Sequence, residues 1–156
     1  MLLDSSVVEC KLIDLPVIPR FPDSTQDEWN NFKHFGLRSA SVYILVYDVS
    51  NPETFAFIKK IREQILDLKD ASNALIIVAA NKSDLVQVDE KTRSDTFNTV
   101  RKSWNSVLIE CSAKHNWNIT DVFREVAKEV IEQQNTTGVK ESSIEEPLHC
   151  CRIFNY

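Results

Sequence analysis

Three apolar runs constrain this chain more than any other feature: "SVYILVYDV" over 41–49, "ALIIVAA" over 74–80 and "SVLIECS" over 106–112. Each is too continuously apolar for a strand with one face in water, and a strand buried on both faces reads this way. Helical periodicity fills the spaces between them. Asn51, Pro52 and Glu53 open a helix whose apolar stripe is Ile58, Ile61, Ile65 and Leu68, since a proline at the first helical turn costs no hydrogen bond. Phe97, Val100 and Trp104 share one face of a second helix, and Val122, Phe123, Val126 and Val130 share one face of a third. Alternating strands and helices predict an α/β fold: a doubly wound, mostly parallel sheet with helices on both faces. With 156 residues and 43% hydrophobic content, one domain of ordinary size is expected.

The two ends read differently. Near the start, Val8, Cys10 and Leu12 alternate with Glu9 and Lys11, the period-two pattern of a strand with one buried face, ending at Asp14. Pro16, Pro19 and Pro22 then hold off helix until about Thr25, after which "QDEWNNFKHF" forms one that Gly36 suits as a cap. Beyond Gln133 the chain turns polar and aperiodic, so residues 1–133 are expected to form the domain and 134–156 a flexible tail.

Several classes of function are disfavoured. A net charge of −5 and a pI near 5.2 leave no clustered cationic surplus to neutralise phosphates, so nucleic acid is not an expected partner. Cys10 and Cys111 lie in apolar runs as small hydrophobes, and the four cysteines show neither metal spacing nor a disulfide framework. No apolar run reaches the length of a membrane span, and a cytoplasmic setting is expected. Cys150 and Cys151 are candidates for palmitoylation, which would give peripheral contact with the inner face of the plasma membrane. His34, His115 and His149 show no spacing for catalysis or metal, and Trp29 and Trp117 are candidate interface aromatics whose expected role is core packing.

In a doubly wound sheet, ligands bind outside the carboxyl ends of the strands. Those ends here are Asp14, Asp48, "NKSD" over 81–84 and "CSAK" over 111–114. Alone, Asn-Lys-Ser-Asp is a turn, because these side chains hydrogen-bond their own backbone. Followed by "ECSAK" at the end of the very next strand, it becomes half of a pair of loops lying side by side. This ordered pair resembles the base-binding motifs of the Ras-like small GTPases, strand for strand from about Met1 to Ile131. The segments "ILVYD", "LRS" and "DLPV" and the proline-rich loop are most similar to the divergent Ras-like family member ten branch.

The resemblance implies binding of GTP and GDP, Mg²⁺, GTP hydrolysis and protein effectors or regulators. It implies that Asn81 ties the loops and the base together, that the stems of Lys82 and Lys114 cover the base faces, that the Ala113 N–H bonds the base carbonyl, and that Ser112 braces the loop. Asp84 carries the specificity: its carboxylate accepts from guanine N1–H and the exocyclic amine, a donor pair that adenine lacks.

The phosphate half of such a site is missing from these residues. A phosphate loop needs Gly-x-x-x-x-Gly-Lys-Ser/Thr after a strand, because a Cβ would intrude where backbone N–H groups crowd the phosphates. The only glycines are Gly36 and Gly138, and the 13 residues before Asp14 fall short of the roughly 30 that a strand, loop and helix leading to a second strand require. The expectation is a small G domain lacking its first strand and helix, an N-terminally truncated form. Asp14 is the candidate Mg²⁺ ligand, with a strand-end turn former as its other reading. Ile18 stands where the family has the glutamine that orients water, and Val17 replaces a glycine, so hydrolysis is expected to be impaired. Losing four charge-assisted phosphate contacts at about 1.5–3 kcal/mol each leaves about millimolar binding by the base alone. In the family fold the absent strand lies between the strands ending at Asp14 and Asp48, so two bare edges or an unfamiliar pairing are expected, with marginal stability. Two functions remain open: a guanine-nucleotide-binding signalling protein, or a nucleotide-independent pseudo-GTPase that acts as an interaction module. A receiver-like domain would leave "CSAK" unexplained.

Overall fold

The computed structural model describes residues 2–3, 6–7, 9–32, 36–67, 75–85, 89–137 and 149–154. In chain order the elements are β1 Leu2–Leu3, β2 Ser6–Val7, β3 Cys10–Leu15, α1 Thr25–Asn31, β4 Val42–Asp48, α2 Pro52–Leu66, β5 Leu75–Asn81, α3 Glu90–Asn98 with a π-helical turn Thr99–Ser103, β6 Val107–Glu110, α4 Ile119–Thr137 and β7 His149–Phe154. β1 and β2 pair antiparallel as a separate ribbon. The other five strands form one sheet in the order β3-β7-β4-β5-β6, and every pairing in it is parallel.

Burial on both faces explains the three apolar runs. On one side Tyr43, Leu45, Tyr47, Val78 and Ala80 pack with Ile58, Ile61 and Ile65 of α2 and with Val100 of the π-helical turn. On the other, Val42, Ile44, Ile77 and Ala79 pack with Val122, Val126, Ala127 and Val130 of α4. The helix starts follow ordinary capping chemistry: Asn51 Oδ1 accepts from the Glu53 N–H, with Pro52 at the first turn, and the Ser24 Oγ accepts from the Asp27 N–H.

Some expected contacts fall elsewhere. Phe97 is 48% exposed, while Thr96 is buried. The π-helical turn that follows α3 adds a residue per turn and rotates the stripe, so Val100 reaches the core and Trp104 stacks on Phe55 with ring centroids 5.6 Å apart. In β3 both faces carry packed side chains: Cys10 packs against one core cluster, Ile13 and Leu15 pack into the other, and Leu12 is exposed. Trp29 and Trp117 stand at the surface, 63% and 53% exposed, rather than in the core. α1 ends at Asn31; Leu68 and the continuation through 33–35 lie outside the described residues, and Gly36 has a φ of +63°. Its lack of a side chain matters, because a Cβ there would meet the Arg152 guanidinium at 2.7 Å.

The largest difference concerns the C-terminal segment. α4 continues to Thr137, and His149–Phe154, read from composition as part of an aperiodic tail, forms a strand between β3 and β4. Cys10 to Leu15 align with His149 to Phe154 on one side, and Val42 to Leu45 align with Cys151 to Phe154 on the other. Cys151, Arg152 and Phe154 are buried. The Phe154 ring lies 6.1 Å from both Phe21 and Tyr43, which meet edge to face at 5.8 Å. Of the two expected outcomes, bare edges or an unfamiliar pairing, the second holds: both edges are paired, with β7. Cys151 packs into the core against Val42 and Ile44, so in this fold its thiol is not open to palmitoylation; the Cys150 side chain lies outside the described residues. Among the described residues no helix is long and apolar enough to cross a membrane.

A side chain in a mobile tail contributes almost nothing to stability, whereas a buried phenylalanine truncated to alanine costs about 3–5 kcal/mol. Phe154→Ala is expected to lower the free energy of urea unfolding by an amount in that range. A change within about 0.5 kcal/mol would remove β7 from the folded core.

Candidate functional site

The parallel pairing of β5 with β6 sets the site. Ala80 lies opposite Glu110, so the segments that follow the two strands leave the sheet together. The Cys111 N–H continues the ladder to the Ala80 carbonyl at 2.8 Å. Ser83 then crosses over: its N–H and its hydroxyl both donate to the Cys111 carbonyl, at 3.0 and 2.8 Å. Lys82 makes that geometry possible by adopting a φ of +62°, in a turn closed by the Leu85 N–H donating to its carbonyl.

Two further bonds join the loops. Asn81 Oδ1 accepts from the Ala113 N–H at 3.0 Å, so the N–H expected to meet a base carbonyl is directed at the neighbouring loop here, and the Ser112 hydroxyl donates to Asp84 Oδ1 at 2.6 Å. Ser112 is fully buried, and its Oγ also accepts from the His115 N–H at 3.3 Å. The Ser112 hydroxyl is the main cause that holds the Asp84 carboxyl below the usual carboxylate range, with His115 and Lys114 adding to it against the opposing cost of burial. Asp84 is therefore an ion at neutral pH, with 8% of its side chain exposed. Ala113 and Lys114 are exposed at the loop tip. Five of the six residues singled out from sequence thus lie in one hydrogen-bonded or electrostatically linked cluster, Asn81, Asp84, Ser112, Ala113 and Lys114.

Lys82 is placed differently. Its Nζ makes an ion pair with Asp48 Oδ2 at 2.6 Å, across from the end of β4. Burial would raise the Asp48 carboxyl, but Lys82 together with the Ser50 hydroxyl and N–H outweighs it, and the net direction is down. Asp14 is not brought to this cluster: it lies on β3, opposite Ile153, with β7 between it and β4. Among the described residues no three His, Cys, Asp or Glu side chains converge on a metal position. Ile18 is buried in the core, and Val17 is exposed.

Spacing gave no sign of two neighbours of Asp84. His115 Nε2 stands 3.7 Å from Asp84 Oδ2, and its ring stacks on Trp117 with centroids 4.9 Å apart. Their adjacency to "CSAK" was the available signal, because residues 112 and 117 close a tight loop by reciprocal backbone hydrogen bonds.

A carboxyl lowered in the folded state contributes stability above its unfolded value, about 3.9, and loses it as pH falls through the folded value. Ser112→Ala removes the main cause, so the Asp84 carboxyl is expected to titrate higher in a carbon-detected NMR titration, and the acid limb of stability to begin at higher pH. An unchanged Asp84 titration would detach Ser112 from this electrostatic role.

Comparison with known proteins bears on this arrangement. A family model described as the Ras family matches residues 22–132, a span that runs from before α1 into α4 and contains both loops. The chain is 38% identical over 132 residues to Ras-like protein family member 10B of Homo sapiens, covering 83% of this chain and 65% of that protein. It is 31% identical over 131 residues to Ras-like protein family member 10A of Homo sapiens, covering 82% and 64%. The GTP-binding protein Rheb of Homo sapiens is 30% identical over 118 residues, covering 76% and 64%. The chain thus spans just under two thirds of the length of these relatives. Its match over β4, β5 and β6, the helices between them and both strand-end loops makes it a divergent member of the Ras family.

Proposed function

We propose that this chain is a guanine-nucleotide-binding signalling protein of the cytoplasm, binding GTP or GDP through its base and meeting protein effectors or regulators. The observation that carries this reading is the Ser112–Asp84 bond at 2.6 Å beside the Asn81–Ala113 bond at 3.0 Å. An ionised carboxylate held by a buried hydroxyl is matched to the N1–H and amine of guanine, and adenine would leave it desolvated without a donor. Similarity to the GTP-binding protein Rheb is in keeping with this ligand.

Hydrolysis is a separate matter. The 156 residues contain no glycine-rich phosphate loop, and Ile18, at the position where water would be oriented, is an alkyl side chain turned into the core. Base recognition supplies binding here. The contribution of this chain's own residues is to orient and select the base: Asp84 by its acceptors, Asn81 by joining the loops, and the Lys114 stem by lying at the open tip.

A second reading is favoured by one observation. β7 fills the interior position between β3 and β4 from within the chain, so the fold does not wait for a nucleotide to hold it together. A nucleotide-independent interaction module is the function that this self-completion supports.

Calorimetric titration of the full chain with GDP, GTP and ATP separates the two. The expected result is guanine-selective binding of about millimolar strength, abolished in Asp84→Ala, as base contacts without phosphate contacts supply. Binding that does not distinguish GDP from ATP, or that survives Asp84→Ala, would refute the guanine reading and leave the interaction module.

A further inference from the structure

A carboxylate offers about four lone-pair directions, two on each oxygen, and its terminal torsion is broad. The Ser112 hydroxyl takes one direction on Asp84 Oδ1 at 2.6 Å. The Asp84 backbone N–H also bonds the carboxylate, and these two local contacts leave the tilt of its plane to be set by what faces Oδ2. The other oxygen, Oδ2, faces the imidazole of His115 at 3.7 Å. That ring is itself held, stacked on the Trp117 indole at 4.9 Å between centroids and 26° between planes. Trp117 in turn is fixed by reciprocal backbone hydrogen bonds with Ser112, each 3.0 Å. One residue, Ser112, therefore clamps the first oxygen and anchors the aromatic pair that faces the second.

Core packing does not account for the two rings, since the His115 side chain is 43% exposed and Trp117 is 53% exposed. Lys114 also acts on Asp84, and it stands at the exposed loop tip. Of the two, His115 is the one whose position is set by a stacked partner.

We propose that His115, backed by Trp117, is a positioning residue that fixes the plane of the Asp84 carboxylate, so that its remaining acceptor on each oxygen meets guanine N1–H and the 2-amino group together. This rests on the guanine reading of the site and deepens it: the pair determines selection of guanine over hypoxanthine. Hypoxanthine keeps N1–H and lacks the amine. A carboxylate in the wrong plane still makes the first bond but loses the second, so selectivity falls further than affinity for the shared donor.

The test is an NMR titration of the full chain with GMP, IMP and AMP, in wild type, His115→Ala, Trp117→Ala and Trp117→Phe, following amide shifts and the Trp117 indole N–H. Both rings are half in solvent, so dispersed spectra are expected for every variant. The expected result is a GMP-over-IMP preference that falls about tenfold in His115→Ala and Trp117→Ala, the worth of one charge-assisted hydrogen bond, and that Trp117→Phe retains through stacking. In wild type the Trp117 indole signal is expected to shift with GMP. A wild type that prefers GMP while His115→Ala and Trp117→Ala keep the full ratio would overturn the positioning role and leave the guanine reading standing. A wild type that does not distinguish GMP from AMP would overturn both.

Discussion

The pairing of β7 between β3 and β4 is the interaction on which the rest of the structure depends. A parallel sheet cannot leave two strands facing each other across an unpaired gap, because each buried edge would carry a row of unsatisfied N–H and C=O groups. β3 and β4 are joined only through the proline-rich loop, α1 and the turn that follows, and neither pairs with the other. The strand that closes this gap comes from 149–154 and contributes Cys151 to one face of the core and Phe154 to the other. Polar packing secures the same region: buried Glu28 accepts from the N–H groups of Leu37 and Arg38, and the Tyr43 hydroxyl donates to the Leu37 carbonyl. Burial raises the Tyr43 phenol well above its usual range, which keeps that donor protonated.

The two strand-end loops gain their order from the opposite half of the sheet. β4, β5 and β6 are consecutive in space as well as in sequence, so the loops after β5 and β6 are neighbours by construction. Ser83 and Asn81 reach from the first loop to the second, and Ser112 reaches back. Each of these is a short polar side chain bonded to the other loop's backbone or carboxylate, and each loop holds the other in place. The site is therefore rigid at its floor, where Ser112 is buried, and open at its tip, where Ala113 and Lys114 meet solvent.

Much of this was legible in advance. Continuous apolar runs have one physical solution, burial on both faces, and the stripes at Ile58, Ile61 and Ile65 and at Val122, Val126 and Val130 face the core as their period requires. The two motifs could be placed on adjacent loops because parallel strands in a doubly wound sheet expose their carboxyl ends together. The errors have equally local causes. Phe97 left the core because a π-helical turn changed the helical phase, and Leu12 stands exposed because β3 is an edge strand of the sheet. Trp117 stands at the surface because its backbone closes the Ser112 loop rather than entering the sheet.

By itself the sequence determined the fold class, the helix stripes, the absence of a glycine-rich phosphate loop from these residues, and the identity of the two loops, since periodicity and short motifs are properties of neighbours along the chain. Tertiary structure alone decided that six residues of polar-flanked composition near the C-terminus would become an interior strand, that Cys151 would be buried, that Lys82 would pair with Asp48, and that His115 would face Asp84. The reason is common to all four. Each depends on which partner lies opposite at a sequence separation that no local pattern encodes, and the partner becomes fixed only when the sheet has closed.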